Sequence, residues 1–87
     1  MLWAKLEKAS LSRANLSGAN LSGTDFKFSN LRNADLSYAN LENADLRVAD
    51  LRDTNLKGTD LQEAQFLGNR LNGAEINDKT KFYGKWR

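Results

Sequence analysis

Cysteine and histidine are both absent from the 87 residues. Without cysteine there is no disulfide framework and no thiolate chemistry, and without histidine the commonest general base and metal ligand is gone. Proline is missing too, so nothing of that kind interrupts a hydrogen-bonded ladder. No apolar stretch approaches the roughly 18 residues of a membrane span, and residues 1–10 lack the basic segment and apolar run of a secretory leader. A cytoplasmic setting is therefore expected. At this length the chain makes one small domain, for which an ordinary two-layer core is marginal. It must repeat economically or lean on a partner.

The net charge is small in the body and turns wholly basic at the end. Residues 1–78 carry nine Lys and Arg against eleven Asp and Glu, a net of −2, whereas residues 79–87 carry Lys79, Lys81, Lys85 and Arg87 with no acid, a net of +4.

What the sequence has in abundance is a period of five. Large apolar residues recur at Leu6, Leu11, Leu16, Leu21, Phe26, Leu31, Leu36, Leu41, Leu46, Leu51, Leu56, Leu61, Phe66, Leu71 and Ile76. Two places before each stands a small residue, Ala, Ser or Thr, with Asn69 the single departure. A polar residue, mostly Asn or Asp, lies between them. An α-helix turns about 100° per residue, so a spacing of five smears the leucines around the cylinder. A straight strand alternates with period two and would throw them to opposite faces. A three-residue strand with both ends inward, followed by a two-residue corner, satisfies the pattern. Gly18, Gly23, Gly58, Gly68 and Gly73 fall at the second corner position, where a missing Cβ relieves a tight bend. The chain is thus expected to coil as a β-solenoid with the large residues filling its axis.

The A-(D/N)-L-x-x pattern resembles the pentapeptide-repeat family over residues 4–78. That resemblance implies an all-β fold, a right-handed quadrilateral β-helix with four pentapeptides per coil and nearly four coils. Residues 1–3 would form its N-terminal edge and residues 79–87 a basic aromatic cap or tail.

With twenty residues per coil, positions twenty apart stack. Phe28 and Val48 then share one outward corner and offer a contact surface, for which Tyr38 is a further candidate, although its place between Gly18 and Gly58 favours a structural role with the ring over bare backbone. Asp25 stacks on Asp45, but Asp25, Asp45 and Asp50 each have a base two residues on, which makes exposed ion pairs the expected role rather than acid–base catalysis. Inward Thr24, Thr54 and Thr59 are expected to bond to nearby backbone. After Ile76 the period slips by one, because the triplet Thr80, Lys81, Phe82 places Phe82 where position 81 was due. Phe82, Tyr83 and Trp86 are candidates to close that end.

These features point to a non-enzymatic structural or protein-interaction module, a domain or piece of a larger protein, with no catalytic, cofactor or metal residues. The partner is expected to be a protein, a second copy in a homodimer, or a covalently linked neighbouring domain. One alternative places nucleic acid or another anionic surface on the basic tail. Another is implied by the resemblance, since some members of the family mimic a DNA rod and bind topoisomerases such as DNA gyrase. The short chain and the stacked cations, Lys27 on Arg47 and Arg32 on Arg52, disfavour it.

Overall fold

In the computed structural model, which describes residues 5–82, parallel single-residue bridges join positions twenty apart, from Lys5 with Asp25 to Asn55 with Glu75. The last pairing differs. Strand β1 (Asp60–Leu61) pairs in parallel with β2 (Lys81–Phe82), Asp60 opposite Lys81 and Leu61 opposite Phe82, a separation of 21. The slip after Ile76 is therefore absorbed as one extra residue in the final coil, and the ladder continues through Phe82.

The pentad closes its own hydrogen-bond account, as the unit around Leu31 shows. The Asn30 N–H donates to the Ala9 carbonyl of the preceding coil (2.9 Å), while the N–H groups of Leu31 and Asn33 donate to Asp50 and Arg52 of the next (2.9 and 3.0 Å). The Ala34 N–H turns back onto the Leu31 carbonyl (3.0 Å). The fifth donor, the Arg32 N–H, is taken by the side-chain Oδ1 of Asn30 at 3.1 Å. All five N–H groups are thus paired, which is what a buried backbone demands.

That last bond explains the Asn or Asp of the repeat. An Asx oxygen reaches the N–H two residues ahead, and the same contact recurs from Asn15 to Ser17 through Asp60 to Gln62. The corner itself is a four-residue turn whose third residue has positive φ, the mark of a type II turn. At Gly58 this φ is +70° and costs nothing, but at Val48 it is +61°, where a β-branched residue is strained.

The large residues from Leu21 to Leu61 are fully or almost fully buried along the axis. Leu6, Leu11 and Leu16 at one end, and Phe66 and Leu71 at the other, are only partly buried, each packed against that core. Ile76 departs from the expected core: it is 52% exposed. Its unit has a coil on one side only, and the extra residue breaks the pentad just beyond it. Phe82 packs against the core instead. Tyr83 and Trp86, proposed with Phe82 to close this end, lie outside the described residues, as do residues 1–3.

Candidate interaction face

The four pentads of each coil generate four faces. The first follows Leu6, Phe26, Leu46 and Phe66, and the second follows Leu11, Leu31, Leu51 and Leu71. The third follows Leu16, Leu36, Leu56 and Ile76, and the fourth Leu21, Leu41, Leu61 and Phe82. Each corner belongs to the residue with positive φ, so its side chain stands at the junction of two faces.

The corner between the first and second faces carries Phe28 (53% exposed) and Val48 (43% exposed). Sequence reasoning placed these two together. It missed Leu67, 70% exposed and directly alongside, because the Val48 N–H donates to the Leu67 carbonyl at 2.8 Å. The signal was present in the sequence: at the corresponding place the neighbouring coils carry Glu7, Lys27 and Arg47, so a leucine breaks a charged column. Tyr38 stands elsewhere, on the junction of the third and fourth faces. A Cβ on Gly58 would collide with the Tyr38 ring, whereas one on Gly18 would meet nothing within 4 Å. The ring therefore covers one of its two glycine neighbours.

Cations border the apolar corner. Arg47 and Arg52 each hold a carboxylate bidentately, with Nε and Nη2 donating to Asp45 and to Asp50 at 2.9 and 2.6 Å. Lys27 lies 3.9 Å from Asp25. The hydrogen bond from Arg47, opposed by partial burial, holds the Asp45 carboxyl below its ordinary range, and Arg52 does the same to Asp50. Arg32 breaks the pattern: Asn30 stands where Arg47 and Arg52 have an acid. Among the described residues Arg32, Lys8, Arg13 and Arg70 form no ion pair. The imbalance extends over both faces. Residues 5–13, 25–33, 45–53 and 65–73 hold eight Lys and Arg against five Asp and Glu, net +3. The remaining described residues hold three against six, net −3.

The stacked acids do not assemble an acid–base pair. Each carboxylate that is drawn below its usual range is held there by a donor: Arg47, Arg52, or, at Asp35, the Ser37 hydroxyl at 2.6 Å. A carboxylate stabilised as an anion is a poor proton carrier near neutral pH. Ser37 is itself tied to the neighbouring Ser17 hydroxyl at 3.1 Å, a side-chain rung between coils rather than a nucleophile beside a base. Among the described residues no group of three or more acids could hold a metal ion, and no helix is long and apolar enough to cross a membrane.

Two of the inward threonines are satisfied by carbonyls of the preceding coil. Thr54 and Thr59 donate to Leu31 and Leu36 at 2.9 and 2.8 Å. Ser29, by contrast, has a buried hydroxyl with no partner among the described residues.

Comparison with known proteins agrees with this geometry. The family model for pentapeptide repeats matches residues 9–47 and 49–78 in eight copies. Among solved structures, a pentapeptide repeat protein from Nostoc Pcc 7120, alr5209, is 35% identical with a TM-score of 0.84, over 93% of this chain and 71% of that one. Rfr23, a pentapeptide repeat protein from the cyanobacterium Cyanothece 51142, is 31% identical with a TM-score of 0.50, over 91% and 60%. QnrB1, a plasmid-mediated fluoroquinolone resistance protein, shares the fold at 20% identity and a TM-score of 0.65, and this chain spans 37% of its length. These neighbours are right-handed quadrilateral β-helices, the architecture that the twenty-residue bridges trace here. No curated protein matches the chain.

Proposed function

Because this chain belongs to the pentapeptide-repeat family, we propose that it is a non-enzymatic interaction module that presents a pre-formed lateral surface to a protein partner. The observation that carries this reading is the exposed apolar corner of Phe28, Val48 and Leu67 on a backbone whose own hydrogen bonds are satisfied. A surface of that kind costs little to order on binding. The rest of the described surface offers ion pairs and side-chain rungs, not convergent chemistry.

A two-hybrid screen of the intact chain, with hits confirmed by calorimetry on purified proteins, tests the reading. A saturable one-to-one partner is the expected result, and a screen empty across conditions would overturn it. Mimicry of nucleic acid is a weaker reading. Double-stranded DNA carries one negative charge per about 1.7 Å, whereas half of this surface is net positive. Inhibition of gyrase supercoiling by the purified chain would reverse that ranking.

A further inference from the structure

We propose that the docking surface is the corner shared by the first and second faces, and that its partner is an acidic protein segment bearing an aromatic or aliphatic anchor. This rests on the interaction-module reading and makes it specific.

Three observations converge on the corner. The first is a pair of apolar side chains left half in solvent at strained corner positions. Corner positions are cheapest for Gly or Asn, which tolerate positive φ; this chain uses Asn at 33 and 43, charged residues at 8, 13, 53 and 63, and Tyr at 38. At 28 and 48 it places Phe and Val at φ of +59° and +61°, an aromatic and a β-branched apolar residue each about half exposed. Unfavourable backbone conformations persist at the surface where the side chain serves something other than folding. The second is continuity, since Leu67 extends the apolar strip from Val48 and forms one patch with it. An exposed apolar patch rimmed by polar groups is the usual mark of a protein contact.

The third is charge. The two faces that meet at this corner are net +3, and Lys8, Arg13, Arg32 and Arg70 hold no carboxylate of their own. A cationic rim with unmatched guanidinium groups selects an acidic partner and speeds its encounter. An apolar strip at the centre selects a hydrophobic anchor, which a phosphate backbone does not supply. Together they favour a protein segment over nucleic acid.

The test uses the whole chain and a defined probe, a fluorescently labelled random copolymer of glutamate and tyrosine, with poly-glutamate and a DNA duplex as comparators. Binding is followed by anisotropy. The wild-type chain should prefer the copolymer to poly-glutamate, with affinity falling as salt is added. Phe28→Asn, Val48→Asn and Leu67→Ser combined should weaken copolymer binding at least about tenfold, the scale of a lost hot spot. These replacements use residue types that the chain already carries at equivalent positions. Arg32→Gln, a change confined to an exposed side chain, should weaken binding about threefold even if the triple variant is poorly folded. Tyr38→Asn, on the opposite corner, should leave it unchanged.

Failure of the wild-type chain to prefer the copolymer overturns the assignment, as does equal binding by wild type and the corner variants. Stronger binding to DNA that ignores the corner variants also overturns it. So does a concentration-dependent rise in mass by light scattering that the triple variant abolishes, because the corner then belongs to a second copy. The broader interaction reading survives all four and falls only to an empty partner screen.

Discussion

The middle coils and the final units meet the same hydrogen-bond requirement by different means. From residue 24 to residue 63 the scheme is uniform, with a small inward residue, an Asn or Asp whose Oδ1 takes the N–H two places on, a buried large residue and a corner. From residue 64 the sequence departs repeatedly, and the departure at Gln65 is repaired by a neighbour. Gln65 replaces the Asx, so the Leu67 N–H turns instead to Oδ1 of Asn69 at 2.8 Å. The amide nitrogen of the same Asn69 donates to the carbonyls of Leu46 and Ala49. The polar residue that looked like an intruder on the inward side completes the account that Gln65 leaves open.

The extra residue near the end follows the same logic. Between Ile76 and Phe82 the Gly58 N–H is met by Oδ1 of Asn77 (3.0 Å) and Oγ1 of Thr80 (3.2 Å) instead of a backbone carbonyl. The Thr80 hydroxyl then donates to the Leu56 carbonyl at 2.8 Å, and the Lys81 N–H to Thr59 at 2.9 Å. Side chains thus bridge the residue that does not fit before the ladder resumes. The repeat is a rule about satisfied donors, and the letters can change when another group meets the donor.

The contrast can be broken most strongly from the inside. Leu46→Ala, at a fully buried position with coils on both sides, should cost about 2–5 kcal/mol in chemical denaturation. Ile76→Ala should cost under about 1 kcal/mol, since its side chain is already half in solvent. Next comes Gly58→Ala, which must adopt positive φ and push its Cβ into the Tyr38 ring. A loss of about 1–3 kcal/mol is expected, partly recovered in a Tyr38→Ser background, while Gly18→Ala should pay only the backbone part.

Asn69→Ala sharpens the comparison, because it restores the repeat's preferred small residue and should nonetheless destabilise by about 1 kcal/mol. Gln65→Asn introduced alongside it should return the Oδ1 acceptor for Leu67, so a double-mutant cycle should show favourable coupling. Little or no coupling in thermal melts would refute the repair.

Asp45→Asn keeps the Oδ1 acceptor but loses the Arg47 pair, and should cost below about 1 kcal/mol at neutral pH. Its pH dependence has a defined sign. Asp45 and Asp50 are held below the ordinary carboxylate value of 3.8 in the folded chain. Their contribution is therefore complete above that value and is lost as pH falls through the lowered folded-state values. Melting temperature should stay level from neutral pH down to mildly acid conditions and drop below it, less steeply in the variant. The smallest effect belongs to Ser29→Ala, which removes an unpartnered buried hydroxyl and should be neutral or stabilising by up to about 1 kcal/mol.

Much of this was readable from residue types alone. The pentad excludes helix and plain strand, the glycines mark corners, and the pairs Asp45 with Arg47 and Asp50 with Arg52 follow from spacing. The Asx bond was also within reach, since a side-chain oxygen caps the N–H two residues ahead by local geometry. Leu67 could have been found as a leucine in a charged column. Other features depended on which coil lies above or below. Tyr38 had two glycines to cover and covers Gly58, and Asn69 was legible as an exception but not as a repair.

What the sequence determined by itself is the coil: a residue's place in the five fixes whether it points inward, pairs or turns, because those are local consequences of chain geometry. What only the tertiary structure decided is everything that needs a neighbour twenty residues away. Ile76 carries the same letter class as the core and stands in solvent, while Phe82, one residue out of step, packs against the core. Burial is set by whether another layer covers the side chain, and no single pentad records that.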